Sequence, residues 1–220
     1  MLEGFFKPNA VAIVGASTKP GKLGYSVLAN VIESGFRGNI YPINPGATQI
    51  AGYKTYDSVL SLPETPDLAV IVIPYNAVPA ALRECGEKGI KSVVIISAGF
   101  REASAEGAER EKEVIEIAKK YGIRVIGPNC LGIIDTYTPL NATFAAGMPP
   151  QGNISFMSQS GALQTAILDW SLASQDLGFS RFVSLGNKAD ISETDLMLDW
   201  ADDPQTRVML AYIEGVPKGP

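Results

Sequence analysis

Between Val11 and Asn30 the sequence VAIVGASTKPGKLGYSVLAN runs from a short apolar strand through a glycine-rich turn into a helix, an arrangement suited to holding a phosphate. Gly15 and Gly24 bracket a turn whose small residues Ala16, Ser17 and Gly21 let backbone N–H groups approach an anion. The helix that follows aims its positive end at the same point. Two familiar phosphate loops are excluded by spacing. A dinucleotide fingerprint counted from Gly15 needs glycine where Ser17 and Pro20 stand. A Walker A loop needs a shorter gap than that between Gly15 and Gly21, and a hydroxyl where Leu23 follows Lys22. What remains is a longer loop carrying Lys19 and Lys22, set against the plain alternative of a strand-to-helix turn whose glycines serve geometry alone.

A second group of this kind is Ser158-Gln159-Ser160-Gly161-Ala162, in which serine hydroxyls and a glycine open a helix. On pattern alone it reads equally as an anion site and as an N-cap serine with a tight turn. The sequence contains no histidine, so a Ser-His-Asp triad, a histidine metal site or a histidine general base cannot be built from these residues. Cys85 and Cys130 lack metal-ligand spacing and give no disulfide framework, which suits a reducing cytoplasm. Both are read as small packed residues rather than nucleophiles.

The elements that must position these residues alternate between strand and helix. Val11–Val14, Asn39–Ile43, the continuous apolar run Leu68–Ile73, Ser92–Ile96 and Arg124–Ile126 are expected as strands of a parallel, doubly wound sheet. Helical spacing places Val27, Leu28, Val31 and Ile32 on one buried face, then Val78, Ala81, Leu82 and Cys85, then Val114, Ile115, Ala118 and Tyr121. Ligands of such sheets lie over the carboxyl ends of the strands, here Gly15 to Gly24, Asn44, Pro74, Ala98 to Phe100 and Asn129. Strand two ends in Asn44-Pro45 rather than the acid that holds a nicotinamide ribose. Residues 133–152 lose periodicity and are expected as a linker between a domain over 1–132 and a smaller one over 153–220. In the latter, Leu163, Ala166, Ile167 and Trp170 are expected to face inward from a helix, with only three strands to support it.

The net charge of -5 argues against a nucleic-acid partner, while the 46% hydrophobic content is ample for a core. No run of about eighteen apolar residues exists and the start shows no charged-then-apolar segment, so neither a membrane span nor secretion is expected.

The order GAS, PGKLG, YPINP, VIVIP, ISAGFRE, IGPNCLGI, SQSGAL, SLGNKADI and YIEG resembles the α subunit, or α-like half, of the nucleoside-diphosphate-forming acyl-CoA synthetases. The likeness is to succinyl-CoA synthetase and, more closely, to the ADP-forming acetyl-CoA synthetases, and it covers essentially the whole chain. It implies a Rossmann-like CoA-binding domain followed by an incomplete flavodoxin-like ligase domain. It also implies a reaction of acid, CoA and nucleoside triphosphate that passes through an acyl phosphate and a phosphohistidine. By resemblance, Gly15, Ala16, Ser17, Lys22 and Gly24 hold the CoA phosphates. Asn44, Pro45, Ile73 and Pro74 line the nucleotide and pantetheine path, with Ala98, Gly99 and Phe100 near the arm and Asn129 and Cys130 near the thiol. Ser158, Ser160 and Gly161 form the helix start that stabilises the phosphoryl group, and Glu214 orients the phosphohistidine.

The same resemblance implies that Mg-ADP or Mg-ATP is bound through an ATP-grasp β subunit or domain, and it allows a homo-oligomer. The chain departs from the pattern in having no histidine, which the family carries downstream of the IEG segment. It is therefore expected to be an amino-terminal piece of a synthetase, or a short relative retaining CoA binding, and inactive alone. The rival expectation is a non-enzymatic CoA-binding module, regulatory or the synthetase-like half of a protein acyltransferase. A nicotinamide dehydrogenase survives only because the fold is shared.

Overall fold

A computed structural model describes residues 2–174 and 176–215. The final residues of the expected second domain, 216–220, lie outside the described residues. Five strands, β1 (Ala10–Val14), β2 (Asn39–Ile43), β5 (Leu68–Ile71), β6 (Ser92–Ile95) and β7 (Arg124–Ile126), form one parallel sheet in the order β2-β1-β5-β6-β7. Apart from the exposed start of β2, these strands are largely buried, which is why they read as unbroken apolar runs rather than alternating ones. The strand order reverses between β1 and β5, the switch point of a doubly wound sheet. A two-stranded hairpin, β3 (Gln49–Ile50) and β4 (Tyr53–Lys54), follows β2.

The crossover helices divide between the two faces. α3 (Val78–Lys88) and α4 (Ala105–Tyr121) pack against one another and against Ala12, Val14, Ala69, Ile71, Val93 and Ile95. Left-handed Gly89 and Gly122 end these helices, and the Ser104 hydroxyl caps α4 by accepting from the Gly107 N–H at 3.0 Å. In α4 the buried apolar side chains are Val114, Ile117 and Ala118, with Ile117 taking the place expected of Ile115. The opposite face carries α2 (Leu23–Glu33) and, beyond it, the second domain. Val11, Ile13, Val70, Val94 and Ile126 share one continuous core with Ile133, Leu140, Met157, Val183 and Trp200. The short α1 (Glu3–Phe6) buries Phe5 and Phe6 in the same layer.

The segment 133–152 is not a linker. It contains β8 (Gly132–Asp135) and β9 (Leu140–Thr143), both buried throughout, and they join β10 (Gln151–Ser158), β11 (Phe179–Ser184) and β12 (Val208–Tyr212) in a second five-stranded sheet of order β12-β10-β11-β8-β9. β10 pairs in parallel with β11 and β12, whereas β8 runs antiparallel to β11 and to β9. Polar side chains hid these strands. Asn141 and Thr143 are buried but hydrogen-bonded: Asn141 Nδ2 donates to the Gly147 carbonyl at 2.8 Å and Thr143 Oγ1 to Asn141 Oδ1 at 2.7 Å. Asn30 of α2 donates to the carbonyls of Thr143 and Ala145 at 2.7 and 2.8 Å, fastening β9 to the first domain. The second unit therefore has five strands rather than three, and its core is shared with the first.

α5 (Gly161–Ser174) also differs from expectation. It buries Gln164, Leu168 and Ser171, and leaves Trp170 53% exposed. The apolar residues of this helix circle it rather than forming a stripe, so its spacing could not identify the inner face. Trp170→Ser is expected to change unfolding free energy by no more than about 1 kcal/mol, read from the urea midpoint. The last helix, α6 (Glu193–Ala201), starts in a capping box in which Ser192 and Asp195 satisfy one another's backbone N–H groups.

Candidate functional site

At the switch point the carboxyl ends of β1, β2 and β5 and the amino terminus of α2 enclose a cleft of about 720 Å³. Backbone bonding extends the sheet to its rim. The Gly15 N–H donates to the Ile43 carbonyl at 3.0 Å and the Val72 N–H to the Val14 carbonyl at 2.9 Å. The Ser97 hydroxyl donates to the Ile73 carbonyl at 2.6 Å and accepts from the Ile73 N–H at 3.2 Å, locking the start of the Ile73-Pro74 exit against β6. Asn44 Nδ2 donates to the Ala16 carbonyl at 2.7 Å and so pins the glycine-rich turn to the end of β2.

The amino end of α2 faces this cleft without a side-chain cap. Ser17 Oγ is not aimed at that end; it accepts from the Lys19 N–H at 3.1 Å and shapes the loop itself. Gly24 lies so close to Gly15 that an added Cβ would stand 1.9 Å from the Gly15 carbonyl oxygen. Uncapped N–H donors, a positive helix end and the ammonium groups of Lys19 and Lys22 make this end a fit for a diphosphate, while the Ile43, Val72, Ile73 and Pro74 wall suits an apolar arm.

Of the residues singled out in the sequence, Gly15, Ala16, Ser17, Lys22, Gly24, Asn44, Pro45, Ile73, Pro74 and Ala98 line the cleft together. Gly99 sits beside the ring of Tyr75 at its margin. Two side chains placed near the arm and the thiol by resemblance do not reach the cleft, Cys130 being packed as its residue type suggested. Phe100 is wholly buried in the α3–α4 core, and Cys130 is 5% exposed with its thiol donating to the Ile95 carbonyl at 3.3 Å, so neither is presented to the cleft. Burial pushes the thiols of both Cys85 and Cys130 up to about 12. Neither is expected to react with iodoacetamide in the folded chain at mildly alkaline pH, whereas both should react once it is unfolded in urea; mass spectrometry of the quenched protein reads the difference.

Lys19, the other lysine of the loop, lines the cleft as well, and Asp57, Ser58, Tyr75, Glu84 and Ser97 also line it and were missed. Ser97, a small polar residue at the end of an apolar strand and just before Ala98-Gly99, carried a legible signal; Asp57 and Glu84 reach the cleft only through the fold.

The second group lies at the carboxyl end of the other sheet. Ser158 is fully buried and its hydroxyl is occupied within the loop, accepting from the Ser160 N–H at 3.0 Å and donating to the Ser160 carbonyl at 2.8 Å. Ser160 Oγ accepts from the Leu163 N–H at 3.3 Å as a cap, and Gly161 has open space where a side chain would be. Only Ser160 and Gly161 are thus available at the helix start. Glu214, exposed just past β12, is brought next to them through Gln159, whose Oε1 accepts from the N–H groups of Glu214 at 3.0 Å and Gly215 at 3.1 Å. The described residues contain no grouping of acidic and cysteine side chains able to hold a metal ion.

Two family models match the chain: a CoA-binding domain over residues 9–136 and a succinyl-CoA ligase-like flavodoxin domain over residues 151–220. Among curated relatives, the α subunit of acetate–CoA ligase [ADP-forming] I of Pyrococcus furiosus is 47% identical, with 99% of this chain and 48% of the relative covered. The acetate–CoA ligase [ADP-forming] of Methanocaldococcus jannaschii is 52% identical, with 95% of this chain and 29% of the relative covered. Among solved structures, the dinucleotide forming acetyl-coenzyme A synthetase 1 of Ca. Korarchaeum cryptofilum, in complex with phosphate and ADP, superposes with a TM-score of 0.96 at 41% identity, covering 100% of this chain and 47% of that one. The chain spans about half the length of these relatives or less.

Proposed function

Because this chain belongs to the CoA-binding domain family, we propose that it is the CoA-binding, α-like part of an ADP-forming acyl-CoA synthetase. The observation that carries the reading is the uncapped end of α2 at the rim of the switch-point cleft, beside Lys19 and Lys22. There the diphosphate of CoA accepts from backbone N–H groups and meets two ammonium groups. The pantetheine arm runs along Ile73, Pro74 and Ala98 toward Asn129, where the thiol is delivered. Cys130 contributes packing and not nucleophilic chemistry.

The acyl group reaches the thiol as an acyl phosphate. In that step the sulfur–acyl bond forms as the S–H and acyl–phosphate bonds break, and phosphate leaves with its electron pair and takes up the thiol proton. The amino end of α5, with Ser160 and Gly161, holds phosphoryl oxygens through donors that cost no reorganisation. The carboxylate of Glu214 accepts from the far ring nitrogen of a phosphorylated histidine and holds that ring in one orientation. No histidine occurs among these residues, so that ring belongs to a segment outside them. Mg-nucleotide chemistry belongs to an ATP-grasp partner domain or subunit.

Calorimetric titration with CoA, and with NAD and ADP as parallel ligands, tests the first half of this reading. CoA alone is expected to bind, and Lys22→Ala to weaken that binding about tenfold through loss of one charge-assisted phosphate contact. Binding of NAD without CoA would overturn it.

A further inference from the structure

A single turn of the second domain touches both places where the proposed chemistry occurs. Residues Gly186, Asn187 and Lys188 follow the end of β11. At Gly186 an added Cβ would stand 2.3 Å from the Pro128 carbonyl oxygen and 2.4 Å from that of Asn129, so the turn is pressed onto the segment that delivers the thiol. Asn187 is 6% exposed and uses its whole amide. Its Nδ2 donates to Glu102 Oε2 at 2.6 Å and to Glu111 Oε2 at 2.7 Å, and its Oδ1 accepts from Asn129 Nδ2 at 3.3 Å. The other oxygen of Glu102 accepts from the N–H groups of Gly99 and Phe100 at 2.6 and 3.1 Å. Burial alone would raise the Glu102 carboxyl, but the bonds from Asn187, Gly99 and Phe100 hold it below its usual value. The turn beside the cleft is therefore closed by a residue of the other domain.

The next residue serves the other place. Lys188 adopts φ +42°, a costly conformation for a residue with a side chain. Its ammonium is nearly buried and donates to Glu193 Oε1 at 2.7 Å and to the Gly215 carbonyl at 2.6 Å. Glu193 also accepts from the amide of Gln159, the residue that holds the Glu214 and Gly215 N–H groups.

We propose that Asn187 and Lys188 are paired positioning residues: Asn187 sets the Gly99–Glu102 turn beside the pantetheine path and Lys188 sets the Glu214–Gly215 strand end, so that one turn fixes the offset between thiol delivery and phosphoryl handling. The assignment of those two tasks rests on the function proposed above.

The test combines residue-resolved amide hydrogen exchange with CoA titration on the full chain. In Asn187→Ala, exchange at Gly99 and Phe100 is expected to accelerate about tenfold and CoA affinity to fall about tenfold, with Glu214 and Gly215 unchanged. In Lys188→Met the pattern reverses: Glu214 and Gly215 exchange about tenfold faster while CoA affinity holds. A residue with a merely structural role would not divide the two readouts in this way. Equal acceleration at both segments in either variant, or none at either, overturns the proposal. Asn187→Ser and Lys188→Gln, milder changes, carry the same split if a first variant fails to fold. A wild-type chain that binds no CoA overturns the CoA reading, and the exchange split then still decides whether the turn holds the two segments.

Discussion

Gly24→Ala is expected to abolish CoA binding in calorimetric titration and to lower unfolding free energy by about 3 kcal/mol. The reason is geometric. The added methyl group would stand 1.9 Å from the Gly15 carbonyl oxygen, 2.9 Å from its carbon and 3.3 Å from the Ala16 Cα, all backbone atoms that no rotamer change can move aside. The start of α2 must then withdraw from the turn, carrying Lys22 and the uncapped N–H donors with it. A one-carbon change thereby removes both a packed contact and the anion site, and the loss of affinity exceeds what the stability change alone would produce. Chemical denaturation separates the two, because at a temperature where the variant is still folded its CoA isotherm should be flat. An intact isotherm from a folded Gly24→Ala chain would show that the α2 terminus does not hold the ligand.

Arg181→Met is expected to cost about 3–5 kcal/mol of stability at neutral pH. Arg181 is 3% exposed, its guanidinium stacked over the Phe6 ring at 4.3 Å, and its nitrogens lie 3.0 Å from Asp135, 3.4 Å from Asp199 and 3.5 Å from Asp203. One cation faces three carboxylates, so removing it deprives the buried Asp135 of the guanidinium that offsets its desolvation. The pH dependence follows from Asp135. Burial raises its carboxyl above the usual value, while the Thr138 N–H, Arg181 and the Tyr137 N–H pull it back down. Without Arg181 the folded-state value climbs further above the unfolded one. A carboxyl raised on folding binds more protons in the native state than in the unfolded state, so stability falls as pH rises from the unfolded value through the folded one. The penalty of Arg181→Met should therefore be largest at neutral pH and shrink toward acid pH. Urea unfolding of both proteins at pH values on either side of that window measures it, and a penalty independent of pH would contradict the charge argument.

Much of the first domain was legible because its strands are buried on both faces and so leave unbroken apolar runs, while glycine and proline mark their ends. The switch-point rule then placed Gly15, Asn44, Pro74 and Ala98 along one cleft from local signals alone. The second sheet was harder to read for a specific reason. β8 and β9 carry Asp135, Asn141 and Thr143 inward, where the Arg181 ion pair and loop carbonyls satisfy them, and a polar residue with distant partners looks like a loop. In α5 an all-round apolar composition concealed which side is buried, and Gln164 rather than Trp170 turned inward.

Residue order by itself determined the strand–helix alternation of the first domain, the glycine-rich turn between β1 and α2 and, through the run of motifs from GAS to YIEG, the family. These depend on neighbours in the chain, whose spacing is covalent. Tertiary structure alone decided that Phe100 faces the core and that Asn187 closes the Gly99–Glu102 turn from 85 residues away. Such contacts join residues with no fixed separation in sequence, so only the packing of one sheet against the other specifies them.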